Sequence, residues 1–444
     1  MVQRLSRTRG TIGVVVLCVL AACSNADENG GDGIAPAAST RPGGVIDSAF
    51  GTGGTAVHGV DSNDTIYAVL GTESDATVVI GSSRTGDALG VLLMRVRGDG
   101  SLDPSFGSGG RVVTAIGQGS AEALAAAYSP DGRIIVAGSA ASEDGNDVDI
   151  ALARYSADGS LDSTFGRGGV AVSRVSRGPD AAFALALDRA GRIVTAGQCG
   201  RADVTENTRG TGCIARFSAN GDVDTAFGAN GARLLTLRDG VESLRGVAVD
   251  GRNRILAAGY SAYGAANELT LFRVTERGDL DNDFGDLGSV TYRGRGFSDA
   301  FALALQGDGV LVAGFSGQTD GSAKDLLLAR VSDGGRLDRR FGDGGATMTP
   351  IGPGDDVAFA LSAGDQGIVV AGYAFNGKEN DMVVVRYSAA GKLDETFGNG
   401  GSLTLPRGAP AVARALVVTS STITLGGELR SGEGRAAMLA RVVL

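Results

Sequence analysis

Leu161-Asp162-Ser163-Thr164-Phe165-Gly166-Arg167-Gly168-Gly169 is one of seven closely similar lines in this chain, and the set of seven decides the fold. The others run Ile46-Asp47 to Gly54, Leu102-Asp103 to Gly110, Val223-Asp224 to Gly231, Leu280-Asp281 to Gly288, Leu337-Asp338 to Gly345 and Leu393-Asp394 to Gly401. Their shared form is (Leu/Val/Ile)-Asp-x-x-Phe-Gly-x-x-Gly, with the aspartates at 47, 103, 162, 224, 281, 338 and 394. A period of 56 to 62 residues sustained through a 444-residue chain describes one array rather than a mosaic of domains.

Each period holds four short apolar stretches, called a to d below. In the fifth they are Ala302 to Leu305, Val310 to Gly314, Leu326 to Arg330 and Ala346 to Thr349. Gly307-Asp308-Gly309 suits a tight a-b hairpin, and Ser332-Asp333-Gly334-Gly335 opens the c-d turn. Such short connections make the four stretches antiparallel neighbours. A lone sheet of this size cannot cover both its faces, so successive sheets must stack. Stretches a and b are rich in Ala, Val, Ile and Leu without strict alternation, as expected of strands covered on both sides. The pattern predicts an all-β fold, a β-propeller of four-stranded blades around a channel.

The chain ends indicate how the ring closes. An arginine ends every c stretch, at Arg95, Arg154, Arg216, Arg273, Arg330, Arg386 and Arg441, and the first six precede a motif aspartate by eight residues. Arg441 has no aspartate after it, and Asp47 has no arginine before it. In a ring of seven blades, Val45 to His58 supplies strand d to the last blade, beside strands a to c from Ala415 to Leu444. A linear solenoid gives no reason for this split and leaves sheet edges exposed at both ends. The Arg and Asp series reads as a repeated structural ion pair or Asx turn, and the motif phenylalanines as core plugs between blades.

Composition agrees. The 73 glycines, 9 prolines and 43% apolar content suit short strands with tight turns. A formal charge of −10 opposes nucleic-acid binding and favours neutral or cationic partners.

Arg4, Arg7 and Arg9, the apolar run Thr11 to Leu20 and then Ala21-Ala22-Cys23 read as an export signal, the run being too short to span a bilayer. Leu20-Ala21-Ala22-Cys23 resembles the bacterial lipoprotein cleavage box, which implies residues 1–22 as a removed signal and Cys23 as the lipid-bearing N-terminus. Residues 23–44 then form a flexible tether and residues 45–444 the propeller. Ser24 after the cysteine points to the outer membrane. The fold retains two cysteines, Cys199 and Cys213, expected to form a disulfide across a hairpin.

The motif, its seven copies and its period resemble the delta-60 repeat, a family of secreted or surface bacterial proteins, over about nine tenths of the chain. Ile46 and Val223 replace the leucine, and Asp286-Leu287-Gly288 alters the glycine pair. The resemblance implies a propeller-like fold without an established activity, and it transfers no catalytic residues.

Antiparallel strands put the a-b and c-d turns on one face of the ring and the b-c and d-a loops on the other. From the closing glycine of b to the arginine of c, separations are 14, 16, 19, 14, 16, 14 and 14 residues, so length varies on the b-c face. That face is acidic. Its b-c loops carry Glu143, Asp144, Asp147, Asp149, Asp203, Glu206, Asp320, Asp325, Glu379 and Asp381. Just before strand a come Asp64, Glu122, Asp180, Glu242, Asp299 and Asp356, with Ala411 in the seventh blade. These six carboxylates are the candidate binding face, and their other reading is turn capping. No cofactor is expected. Calcium is the candidate exception, at Asp144-Gly145-Asn146-Asp147-Val148-Asp149, although Asp279, Asp281 and Asp283 read better as the repeat motif.

Enzyme signals are poor. His58 is the one histidine, so a Ser-His-Asp site would have to use it, and Lys324, Lys378 and Lys392 form no phosphate loop. No tryptophan and 5% aromatics leave few stacking platforms. The resulting expectation is a monomeric, non-enzymatic binding or scaffolding module at the envelope, with the lipid as its membrane contact and a protein or other envelope ligand as its partner. The alternative is a lactone or glycoside hydrolase using carboxylates or calcium at the channel mouth.

Overall fold

The computed structural model describes residues 43–59, 63–142, 147–200, 210–237, 241–263, 266–318, 323–432 and 434–444. Seven antiparallel sheets follow one another along the chain, each ordered a-b-c-d from the axis outward. Blade 1 comprises Thr65–Gly71, Thr77–Thr85, Ala88–Val96 and Arg111–Thr114. The inner strands of blades 2 to 7 are Ala121–Tyr128, Asp180–Leu187, Val241–Val249, Phe297–Gln306, Asp356–Gly364 and Ala411–Val418. Each inner strand packs against the next, and Ala411–Val418 against Thr65–Gly71 completes the circle.

The closure is the expected one. Thr55–His58 pairs with Gly434–Val443 as the outer strand of blade 7, and Val45–Ile46 extends the pairing at Val443 and Val442. The Arg441 Nε donates to Asp47 Oδ2 at 2.7 Å, joining the two ends of the chain. Two residues ahead of Val45 also join the closure: the Gly398 amide donates to the Gly43 carbonyl, and Gly44 rests on the Phe397 ring.

Those two glycines act as the c-d turn of blade 7, and the same latch recurs at the other seams. The motif arginine donates to its aspartate at 2.7 Å in Arg95 and Arg154 and at 2.8 Å in Arg216, Arg273 and Arg386. Its guanidinium covers the motif phenylalanine, from 4.4 Å for Arg273 over Phe284 to 5.0 Å for Arg95 over Phe106. A left-handed glycine of the next blade's c-d turn covers another part of that ring. At Gly159, with φ +86°, a side chain would collide with Phe106, and Gly221 stands likewise against Phe165. The amide after each phenylalanine donates across the seam, as from Gly107 to Asp158 and from Gly166 to Asn220. The recurrent line is therefore a blade-to-blade fastening, with each buried phenylalanine worth about 3–5 kcal/mol against alanine. In blade 5 it is looser, Arg330 Nη1 lying 3.3 Å from Asp338.

The fifth repeat shows where strand limits escape a sequence reading. Its strands are Phe297–Gln306, Gly309–Gly317, Asp325–Val331 and Ala346–Thr349, so strand a starts five residues before Ala302. A bulge at Phe301 breaks the register between Ala300 and Ala302 and carries the strand on toward the d-a loop. Every blade has this bulge, at Tyr67, Leu124, Phe183, Arg245, Phe301, Phe359 and Arg414. The closing glycine of strand b explains it. Gly81, Gly138, Gly197, Gly259, Gly314, Gly372 and Gly427 lie where a Cβ would strike a strand-a carbonyl, so the close approach requires glycine.

Candidate functional site

Side chains at six of the seven bulges meet one another across the seams between inner strands. Phe301 and Phe359 stack edge to face with centroids 5.1 Å apart. The Arg414 guanidinium lies 5.6 Å from Phe359 and 5.5 Å from Tyr67, and that of Arg245 lies 4.5 Å from Phe183. Phe315, Phe297 and Tyr373 continue this aromatic tract toward the loops of blades 5 and 6. Counting aromatics at 5% overlooked this clustering. The repeated strand-b glycine was the available signal, because it marks the bulge opposite.

The six candidate carboxylates do not form one ring. Asp64, Asp180, Glu242 and Asp356 share a position three residues before the bulge and have no exposed surface. Ser298 takes that position in blade 5, Ala121 in blade 2 and Ala411 in blade 7. Glu122 and Asp299 stand one residue further on, so they project from the opposite face of the strand.

The four buried acids hold the chain around them. Asp180 accepts the Val175 and Ser176 amides at 2.8 and 2.9 Å, Glu242 the Leu237 amide at 2.9 Å, and Asp356 the Ile351 amide at 2.6 Å. Asp64 is held by Arg111, whose Nη2 donates to Oδ1 at 2.9 Å. Burial raises the pKa of Asp180 and Asp356, and the loop amides pull both back. Asp180, Glu242 and Asp356 thus cap the d-a connections, the turn-capping reading of the acidic series, whereas Asp64 is bound by a strand d arginine.

Asp299 differs. Its Oδ2 accepts from Asn267 Nδ2 at 3.3 Å, while its buried Oδ1 has no hydrogen-bond partner. Desolvation raises its pKa to about 6, against the Asn267 hydrogen bond and the charges of Arg245 and Lys324. Glu122 is also raised by burial, with Arg435 opposing.

Cys199 and Cys213 are joined by a disulfide between strands b and c of blade 3. In the calcium candidate, Asp147 and Asp149 face Arg174 at 3.7 and 3.1 Å, and residues 144–146 lie outside the described set. Asp281 is bound by Arg273 as a motif member. Asp325 pairs with Arg295, Asp381 accepts from Asn376 at 2.7 Å, and Glu379 lies 3.9 Å from Lys378. Glu143, Asp203, Glu206, Asp320 and Cys23, with the signal and residues 23–42 of the tether, lie outside the described residues. Among the described residues, no three His, Cys, Asp or Glu side chains converge as a metal site. His58 Nε2 lies 3.2 Å from the Gly100 carbonyl at the closing seam.

Residues 129–165 and 367–397 match the model of a Domain of unknown function (DUF5122) beta-propeller. No curated protein matches the sequence. Among solved structures, Sqt1 from Chaetomium thermophilum is similar at 13% identity, over 86% of this chain and 97% of that one, with a TM-score of 0.43. The polysaccharide lyase Uly1 is similar at 10% identity over 85% and 89%, with a TM-score of 0.46. Extracellular domains 1-2 of Drosophila Semaphorin 1b are similar at 10% over 90% and 88%, with a TM-score of 0.44. The chain is a seven-bladed β-propeller repeat protein, similar in two of its repeats to a propeller domain of unknown function.

Proposed function

We propose that this protein is a bacterial envelope lipoprotein, anchored by a lipid on Cys23 at the outer membrane, whose propeller is a non-enzymatic binding or scaffolding module. The binding surface is the face of b-c and d-a loops. One observation carries this reading: the c-d turns on the opposite face are spent on seven repeated latches, whereas the b-c loops vary in length and stand on d-a connections stiffened by buried carboxylates. Variable loops on a rigid frame are where recognition sits.

Site-specific photo-crosslinking tests the face. Crosslinkers at Lys378 and Arg295 on the loop face are expected to trap a partner in envelope preparations, while those at Arg252 and Asp308 on the turn face are not. Adducts confined to the turn face would reject the assignment. Palmitate labelling lost in Cys23→Ala tests the anchor.

One observation favours the hydrolase alternative, since a carboxyl raised to about 6 suits a general acid. Screens of lactones and glycosides with the wild type and Asp299→Asn, with and without chelator, decide it.

A further inference from the structure

The turn face carries a cleft that the latches do not account for. It lies between blades 4 and 5 and has a volume of about 210 Å³. Two sequence changes open it. The a-b turns of blades 1 to 4 each span five residues, 72–76, 129–133, 188–192 and 250–254, whereas that of blade 5 is Gly307-Asp308 alone. The second turn residue of blade 3 is Arg189, whose side chain lies over Gly251 of blade 4. In blade 4 that position is Gly251 itself, which offers no side chain to blade 5.

The apolar part of the lining is Leu256, Leu305 and Val310, with Leu256 and Val310 buried. The polar part holds three arginines and three aspartates, Arg252, Arg254, Arg273, Asp250, Asp308 and Asp333. Four of these form a closed ion network. Arg254 Nε donates to Asp250 Oδ2 at 2.6 Å, Arg273 Nη1 to Asp333 Oδ1 at 3.0 Å, and Arg254 Nη2 also donates to Asp333. Such a bridge between blades needs no cleft, because Arg192 makes the same one to Glu276, at 2.6 Å, between blades 3 and 4. The other two groups are left over. Among the described residues neither side chain makes a hydrogen bond: Arg252, 73% exposed on the blade 4 turn, stands 3.6 Å from Asp333, and Asp308, 88% exposed on the blade 5 turn, stands 3.6 Å from Arg330. Opposite charges on neighbouring turns, with an apolar surface in the same cleft, match a molecule that carries both charges and an apolar body.

We propose that the cleft between blades 4 and 5 binds a small zwitterion with an apolar side chain, an amino acid or dipeptide, its carboxylate on Arg252, its ammonium on Asp308 and its side chain on Leu256, Leu305 and Val310. The planar fork of Arg252 offers a carboxylate two parallel donors, and the carboxylate of Asp308 accepts from an ammonium. The volume sets the size of the ligand, being below the roughly 300–1,000 Å³ of pockets that take drug-sized molecules. The site lies on the face opposite the variable loops, so it adds to the loop-face reading and does not depend on it.

Saturation-transfer NMR titrations of the folded protein with leucine, leucyl-leucine, N-acetyl-leucine and leucinamide test it. The two zwitterions are expected to bind. N-acetyl-leucine and leucinamide each lack one charge and should bind roughly 2- to 5-fold more weakly, the range of an exposed ion pair. Arg252→Gln should weaken leucine and N-acetyl-leucine by that factor and leave leucinamide unchanged, whereas Asp308→Asn should weaken leucine and leucinamide and leave N-acetyl-leucine unchanged. Both positions are exposed, so the variants keep the fold. Lys378→Gln on the loop face should alter none of the four. Binding of leucyl-leucine alone, with the same variant pattern, keeps the site and fixes the ligand as a dipeptide. No signal from either zwitterion, equal affinity for all four probes, or leucine binding untouched by both variants overturns the proposal. Loop-face crosslinks to a partner in a protein that binds neither zwitterion would leave the binding face standing and remove only the cleft.

Discussion

Replacing Asp299 with Asn should stabilise the propeller at neutral pH and do so much less in mild acid. The carboxyl is 6% exposed, one oxygen has no hydrogen-bond partner, and its pKa rises from 3.8 to about 6, chiefly by desolvation. The folded state therefore holds this proton more tightly than the unfolded state. Its contribution to stability is most favourable below 3.8, falls as pH rises toward 6, and is then constant. At about 1.36 kcal/mol per pH unit, the full penalty is about 3 kcal/mol at pH 7.5 and about 1 kcal/mol at pH 4.5. Asn keeps the shape and an acceptor for Asn267 without the charge. Any packing difference is common to both conditions, so the readout is a change of about 2 kcal/mol in the mutant effect between the two. Urea unfolding of both proteins at pH 4.5 and 7.5 measures it, and a carboxyl-carbon NMR titration reads the group directly. An equal mutant effect at both pH values, or an Asp299 that titrates near 3.8, would refute the reasoning.

A double-mutant cycle on Asp47 and Arg441 should give a coupling of about 1–3 kcal/mol, similar to that of Arg154 and Asp162, because the closing seam repeats the internal one. A value near zero for the terminal pair alone would mean that the ends close by backbone pairing only. Gly314→Ala should cost at least about 1–3 kcal/mol by driving a methyl group into the Asp299 carbonyl, and wild-type stability in that variant would contradict the bulge. Reducing the Cys199 to Cys213 bond should cost roughly 3 kcal/mol, measured as a lower urea midpoint under reductant. His58 has a pKa lowered from 6.5 mainly by burial, so its contribution is complete above 6.5 and declines as pH falls below it. His58→Gln should flatten that part of the stability profile, and an unchanged slope between pH 6.5 and 5 would exclude His58 as its source.

The amino-acid order by itself determined the number of blades, their four-strand composition and the way the ring closes. Those properties are periodic and additive: each copy of Leu-Asp-x-x-Phe-Gly-x-x-Gly repeats a local turn, and the orphaned Arg441 and Asp47 could be matched by counting. The paired cysteines were legible for the same reason, being neighbours across one hairpin. Only the tertiary structure decided what the acidic series does. Whether a carboxylate faces solvent or a loop amide depends on strand parity, and one bulged residue reverses parity. Asp180 and Asp299 both read in the sequence as acids just before strand a, yet one caps a loop and the other is left with an unpaired oxygen. Arg414, Arg430 and Arg435 likewise share no motif. They meet on Glu428 because strands a, b and c of blade 7 pair side by side, and the bulge at Arg414 shifts the a-b register in a way that residue spacing does not encode.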